Sequence, residues 1–411
     1  MGMAGLTVAL MMIGVIISPC VNGDELSDHK EIEVERLLKR LNKPALISIK
    51  SDDGDIIDCV PIQNQLAFDH PLLKNHTIQM RPSFIPESTS TYTKDITNVT
   101  QVWNKNGRCP ENTVSIRRIK KEDILRSKSI QNFGKKMMTP APGILLYGSS
   151  SVHEDLTSDP SKGHEYATMN SKGKYFGTEC VVNIWKPYVQ GSREFSLAQT
   201  WLVSGVGLSR NTIEAGFQVH PAQYGDFNLR LFVYWTADGY QHTGCHNTDC
   251  PGFVQISKRV TVGGTYKTVS QYNGAQYAFR IVIWRDRGNG KKWWLKVGDE
   301  VVGYWPSSLF TSLGDGATRV SWGGEIVNDM IGGKHTATDM GSGHFAEEDN
   351  KKASYFRNLM IVSDTNVMRE PKEVHPIVTN ANCYNIKAGR SGTSWGIYFY
   401  HGGPGRNAKC P

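Results

Sequence analysis

From about Tyr166 onward, the chain is a close succession of short, turn-bounded strand patterns with no long amphipathic helix between them. Residues 178–185, 199–204, 212–219, 229–235, 253–262, 277–284, 293–297, 301–305, 320–327 and 355–362 all read as strands. Within 277–284, Tyr277, Phe279, Ile281 and Ile283 alternate with Ala278, Arg280, Val282 and Trp284. Strands this close, without crossover helices, must pair antiparallel, so the expected fold is an all-β domain built as an antiparallel two-sheet β-sandwich.

The front of the chain has a different character. Residues 1–23 lack Lys, Arg, Asp and Glu and carry an apolar run ending in small residues, the pattern of a cleaved export signal. A helix is expected over 26–42, capped by Ser27 and stopped by Pro44, with Ile32, Val34, Leu37, Leu38 and Leu41 as its apolar stripe. Residues 24–126 therefore read as a small mixed α/β unit. Residues 127–163, rich in Ser, Gly, Pro and Lys, read as a linker open to nicking, and 164–411 as the main domain. Residues 24–160 carry equal numbers of acidic and basic side chains, so the net charge of +7 belongs to the remainder. Those charges are scattered without a basic run, so neither nucleic acid nor a membrane is an expected partner. A monomer is expected.

Export makes most cysteines pair. Local spacing suggests Cys59–Cys109, Cys245–Cys250 and Cys383–Cys410, with Cys180 left as a buried small hydrophobe. Sequons stand at Asn75 and Asn98. No His/Cys cluster has structural-zinc spacing, and neither metal nor cofactor is expected.

Two glutamates sit oddly. In the strand pattern around Glu214, Ile213, Ala215, Phe217 and Val219 form an apolar face, which puts Glu214, Gly216 and Gln218 on the other. Glu325 shares a face with Ser321 and Gly323, and in-strand glycines mark close approach of another backbone. Alternation alone leaves both glutamates as solvated strand residues and does not make their strands neighbours.

Specific motifs add to this: NTIEAG at 211–216, YGD at 224–226, LFVYWTAD at 231–238, TGC at 243–245, GFVQ at 252–255, GYWP at 303–306, LF at 309–310, WGGE at 322–325, MGSGHF at 340–345 and ASYFRN at 353–358. Through them residues 164–411 resemble the neprosin family. AFDHPLL at 67–73, CPE at 109–111 and IRR at 116–118 resemble its activation peptide. The resemblance implies a glutamic endopeptidase with post-proline preference, made as a zymogen, with Glu214 and Glu325 as its catalytic pair. Phe217 departs from the pattern, where Trp is expected.

Two nearby carboxylates can hold one proton between them and divide peptide hydrolysis into water activation and protonation of the leaving amine. Gln199, Trp201, Gln218, Tyr234 and His344 are candidates for substrate contact: an amide for the oxyanion, aromatic faces for a proline ring. Lys135-Lys136 reads as a dibasic processing site, while Pro140, Pro142 and Pro160 offer the enzyme its own preferred residue. The expected partners are proline-containing peptides and the chain's own propeptide. The expected location is extracellular or cell wall, with the vacuole as another option. A glycoside hydrolase, a wall-binding sandwich and an inactive relative remain open as alternatives.

Overall fold

The computed structural model describes residues 23–86, 99–127, 129–136, 163–288, 291–392 and 395–411, with side chains from residue 30 onward. Residues 1–22 of the expected export segment, the Asn98 sequon and the linker prolines Pro140, Pro142 and Pro160 lie outside the described residues.

Two large sheets, antiparallel at every pairing, form the main domain. The front sheet runs Thr265–Tyr266, Leu229–Thr236, Asn211–Val219, Ser196–Ser204, Ala317–Val327, His164–Tyr175, His375–Val378. The rear sheet runs Val254–Gln255, Glu300–Trp305, Trp293–Val297, Ala278–Arg285, Gly177–Asn183, Ser354–Val362, Gly396–Gly402, Asn385–Ser391. Their inner faces share one core. From the front come Ile213, Ala215, Phe217 and Val233; from the rear come Val182, Phe279, Ile281 and Leu295. Phe217 meets Phe279 across it with ring centroids 5.2 Å apart, so the residue that departs from the family pattern fills the sandwich interior. Each of the Val, Leu, Ile and Phe side chains contributes roughly 1.5–3 kcal/mol by leaving water. Cys180 is buried here with a free thiol.

The expected strand over 253–262 shrinks to Val254–Gln255. Beyond it the backbone turns on Ser257, whose hydroxyl accepts from the amides of Arg259 and Val260. The strand His164–Tyr175 was hidden by a Ser-, Lys- and Gly-containing stretch that masks its alternation.

The front unit holds the helix Gly23–Leu41 and a sheet of Ile47–Lys50, Ile56–Pro61 and Thr113–Arg117, with Cys59–Cys109 bonded beside it. The helix begins before Ser27, which is therefore inside it and not its cap. Val34, Leu37 and Leu41 are buried against Leu66, Ile119 and Ile124, while Ile32 faces solvent. The pairs Cys245–Cys250 and Cys383–Cys410 are also formed, and Asn75 is exposed.

From this unit a strap crosses the outer face of the rear sheet. Ala67, Phe68 and Phe84 cover Val282, Trp284, Trp294 and Tyr304. Trp284 Nε1 donates to Phe84 O at 2.9 Å, and the Tyr304 hydroxyl bonds His76 Nε2 at 2.9 Å. On the front sheet the unit docks through charge. Asp55 meets the fully buried Arg230 at 2.5 Å and Arg117 at 3.2 Å, and Arg230 also holds Asp226 at 2.6 Å. Both guanidinium groups lie over the Tyr224 ring, at 4.7 and 5.4 Å.

Candidate active site

Directly opposed residues of antiparallel strands share a face, so the register builds the site row by row. One row across the outer face of the front sheet is Tyr234, Glu214, Trp201, Ser321 and Asn170. The next is Phe232, Gly216, Gln199, Gly323 and Thr168, and the third is Arg230, Gln218, Leu197, Glu325 and Tyr166. The two glutamates thus stand on strands either side of Ser196–Ser204, on the order of 10 Å apart laterally. They occupy alternate rows, with Gln199 in the row between.

Gln199 has its place because its neighbours on both sides are glycines. A Cβ on Gly216 would lie 2.2 Å from Ala198 O and 2.6 Å from Gln199 Cβ; one on Gly323 would lie 2.3 Å from Ala167 O. Gly216→Ala is accordingly expected to destabilise the chain by about 1–3 kcal/mol through overpacking. Denaturant midpoints check this, and an unchanged midpoint would contradict the tight row.

Glu214 is fully buried. Thr212 Oγ1 and the Tyr240 hydroxyl donate to its Oε1 at 2.9 and 2.8 Å, and Gln199 Nε2 donates to Oε2 at 3.3 Å. Tyr240 reaches it from a loop held by Asp238, with φ at +67°, a conformation that costs a bulky residue free energy. Glu325 takes a different set: His164 Nδ1 at 2.7 Å and the Tyr166 hydroxyl at 3.2 Å, both on Oε1. Burial pushes the Glu325 carboxyl up. The His164 hydrogen bond, the charges of Lys136 and His164 and the Tyr166 hydroxyl outweigh it and hold the group below its ordinary value. Burial first, then the neighbouring carboxylates, drive the Tyr166 and Tyr240 phenols far upward, so both remain donors.

No described hydrogen bond joins the two carboxylates to each other. A cation serves both instead. Lys136 Nζ pairs with Glu214 Oε2 and its charge reaches Glu325. The ammonium lies 4.9 Å from the Tyr234 ring centroid and 5.9 Å from that of Tyr240. Its backbone N–H donates to the Tyr234 hydroxyl at 3.2 Å, and two residues earlier Gly134 O accepts from His246 N at 2.7 Å. The segment ending at Lys136 therefore threads past the Cys245–Cys250 loop and delivers an ammonium to the glutamates. Lys136, expected as half of a dibasic processing site, is engaged in the cleft and largely withdrawn from solvent.

Residues 192–404 match the Neprosin domain, and residues 48–170 match the Neprosin activation peptide. The chain belongs to the neprosin family. Among solved structures, the neprosin chain is similar to a Scytalido-glutamic peptidase bound to a peptide-based transition-state analogue. The TM-score is 0.32 and the identity 10%, covering 59% of this chain and 98% of that one. The same peptidase with a transition-state analogue inhibitor gives 0.33 at 10% identity and the same coverage. SCP-B, a member of the Eqolisin family in complex with the tripeptide Ala-Ile-His, gives 0.31, again at 10% identity and with the same coverage. At such scores these likenesses add nothing to the family assignment.

Of the residues singled out in the neprosin sequence, Gln199, Trp201 and Tyr234 gather around Glu214. Gln218 does not join them. Its amide donates to the hydroxyl of Tyr224 at 3.0 Å, the ring over which Arg117 and Arg230 lie. His344 lies elsewhere, against Tyr272 and Glu348 beside the rear sheet's Gly396–Gly402 strand. Sequence reasoning missed Thr212, Tyr240, His164 and Tyr166. Thr212 was detectable in principle, because it shares its strand face with Glu214. The other three depend on register and loop return.

Proposed function

We propose that this chain is the zymogen of a secreted glutamic endopeptidase that hydrolyses bonds after proline in mildly acidic surroundings. The observation that carries the reading is the pair Glu214 and Glu325 on one sheet face, each with its own donors, with the Gln199 amide in the row between. A peptide laid across these rows presents its carbonyl to Gln199, and one carboxylate stands to each side of that row. One glutamate, ionised, takes a proton from water; the other, protonated, gives one to the leaving nitrogen. The Gln199 amide stabilises the oxyanion. The rings of Trp201 and Tyr234 flank Glu214 in register, and a proline ring packs on such faces. Neither a metal nor a covalent intermediate is needed by this chemistry.

Latency follows from the same geometry. Lys136 takes the space where water and substrate must go, and it leaves once the linker is cut and the propeptide departs. The linker prolines are suited to that cut being autolytic. The test is to acidify the secreted full chain, then incubate the matured protein with proline-containing peptides and with wall polysaccharides. Product masses are expected to map cleavage after proline. Cleavage with no proline preference overturns the specificity, and hydrolysis confined to polysaccharide overturns the peptidase reading.

A further inference from the structure

The two glutamates are anchored by chemically different partners, and the difference outlasts activation. Glu214 receives hydrogen bonds from two hydroxyl groups and one amide, all neutral, and pairs with the Lys136 ammonium. Glu325 receives an imidazole. His164 and Tyr166 lie on the strand that pairs with the Glu325 strand, with Tyr166 directly opposite Glu325. The His164 ring is fixed edge-on against Phe195 at 5.7 Å and stacked near Tyr166 at 6.4 Å, which aims Nδ1 at the carboxylate. Lys136 lies inside the 127–163 segment and His164 follows it. Once a cut between them is followed by departure of the propeptide, Lys136 leaves Glu214 while His164 stays on Glu325.

We propose that His164 is a positioning residue that divides the labour of the pair: it holds Glu325 as the carboxylate that takes the proton from water and leaves Glu214 to protonate the departing amine. This rests on the two-glutamate peptidase reading above. The step balances. Glu325 takes one proton from water, the resulting hydroxide oxygen bonds the carbonyl carbon, and the C–N bond breaks as the nitrogen receives the proton of Glu214. A proton returning from Glu325 to Glu214 through solvent resets the site.

The other charged and titratable groups around the pair do not alter the division. Arg210 acts on both phenols, Tyr166 beside Glu325 and Tyr240 beside Glu214. Burial depresses His220 to about 4 and His246 well below its ordinary value, so both stay neutral in mild acid. Tyr234 is a protonated phenol. The sign of the effect is then fixed. A cation beside Glu325 favours its ionised form, so removing His164 makes that carboxylate harder to ionise.

The experiment is the pH profile of kcat/KM for a proline-containing reporter peptide, using full-length chain matured by a cut in the linker. His164→Gln is expected to move the acidic, ascending limb upward by about one pH unit. That is about tenfold less activity on the limb. His164→Lys, which restores a cation, is expected to move it back. A lowered plateau with an unmoved limb would mean that His164 only packs the site, and would overturn the proposal. Residual rates of Glu214→Gln and Glu325→Gln, which leave His164 in place, decide the division even if His164→Gln does not fold. The first should lack the descending limb and the second the ascending one, and the reverse pattern overturns the division. Wild-type cleavage by both glutamine variants would sink the two-glutamate reading itself, a failure distinct from an unmoved limb.

Discussion

Glu325→Gln lowers kcat for a proline-containing peptide by about 10²–10⁴-fold, the usual worth of a positioned proton-transfer group, and Glu214→Gln does the same. Glutamine is nearly isosteric, and its amide oxygen still accepts from His164 and Tyr166 at position 325, or from Thr212 and Tyr240 at position 214. The strand pairings are main-chain bonds that the change does not touch. The loss is therefore chemical and not structural. Single-turnover cleavage alongside an unfolding curve separates the two. A variant with a wild-type midpoint and a rate within tenfold of wild type would remove that glutamate from the chemistry.

Arg230→Met should release the propeptide. The guanidinium is fully buried, binds Asp55 of the front unit and Asp226 of the main domain, and donates to Gly263 O at 2.7 Å. Removing one partner of a buried ion pair leaves carboxylates uncompensated and costs about 3–5 kcal/mol. The pH dependence has a definite sign. Burial raises the Asp226 carboxyl, but the hydrogen bond and charge of Arg230 bring it below its ordinary value. A carboxylate with a depressed folded pKa adds stability above its unfolded value near 3.8. That stability is lost as pH falls through the lower, folded value. The Asp226–Arg230 pair inside the main domain thus persists in mild acid and weakens only below about pH 4. After a cut in the linker, size-exclusion chromatography at neutral pH should show wild-type propeptide co-eluting with the main domain and the Arg230→Met propeptide separating from it. Co-elution of both would show that charge does not hold the interface.

Much of this was legible in the residues and some could not be. Period-two alternation fixed which face Glu214 and Glu325 occupy, because the apolar partners of each strand admit only one core-facing set. It did not reveal that Ser196–Ser204 runs between them, since register is a long-range property of pairing and turns. His164 and Tyr166 were invisible for the same reason. The strand that carries them has Asn170, Ser171, Lys172, Gly173 and Lys174 at its far end, a composition that reads as loop. The run over 253–262 erred the other way. Phe253, Val254 and Val262 are buried, but among the run only Val254 and Gln255 keep ladder partners before the backbone turns on Ser257. Lys136 has a local sequence that says only "basic", and its role comes from where the chain has already been led by Gly134.

The strap across the rear sheet carries a consequence of its own. Beneath Phe68, His76 and Phe84 lie Trp284, Trp294 and Tyr304, which contribute one side of a hydrophobic cluster and not a finished exterior. A main domain synthesised without its leader would emerge with that aromatic band bare and would self-associate through it before folding was complete. Departure of the leader would lay open Trp284, Trp294 and Tyr304 on the side of the molecule facing away from the glutamates.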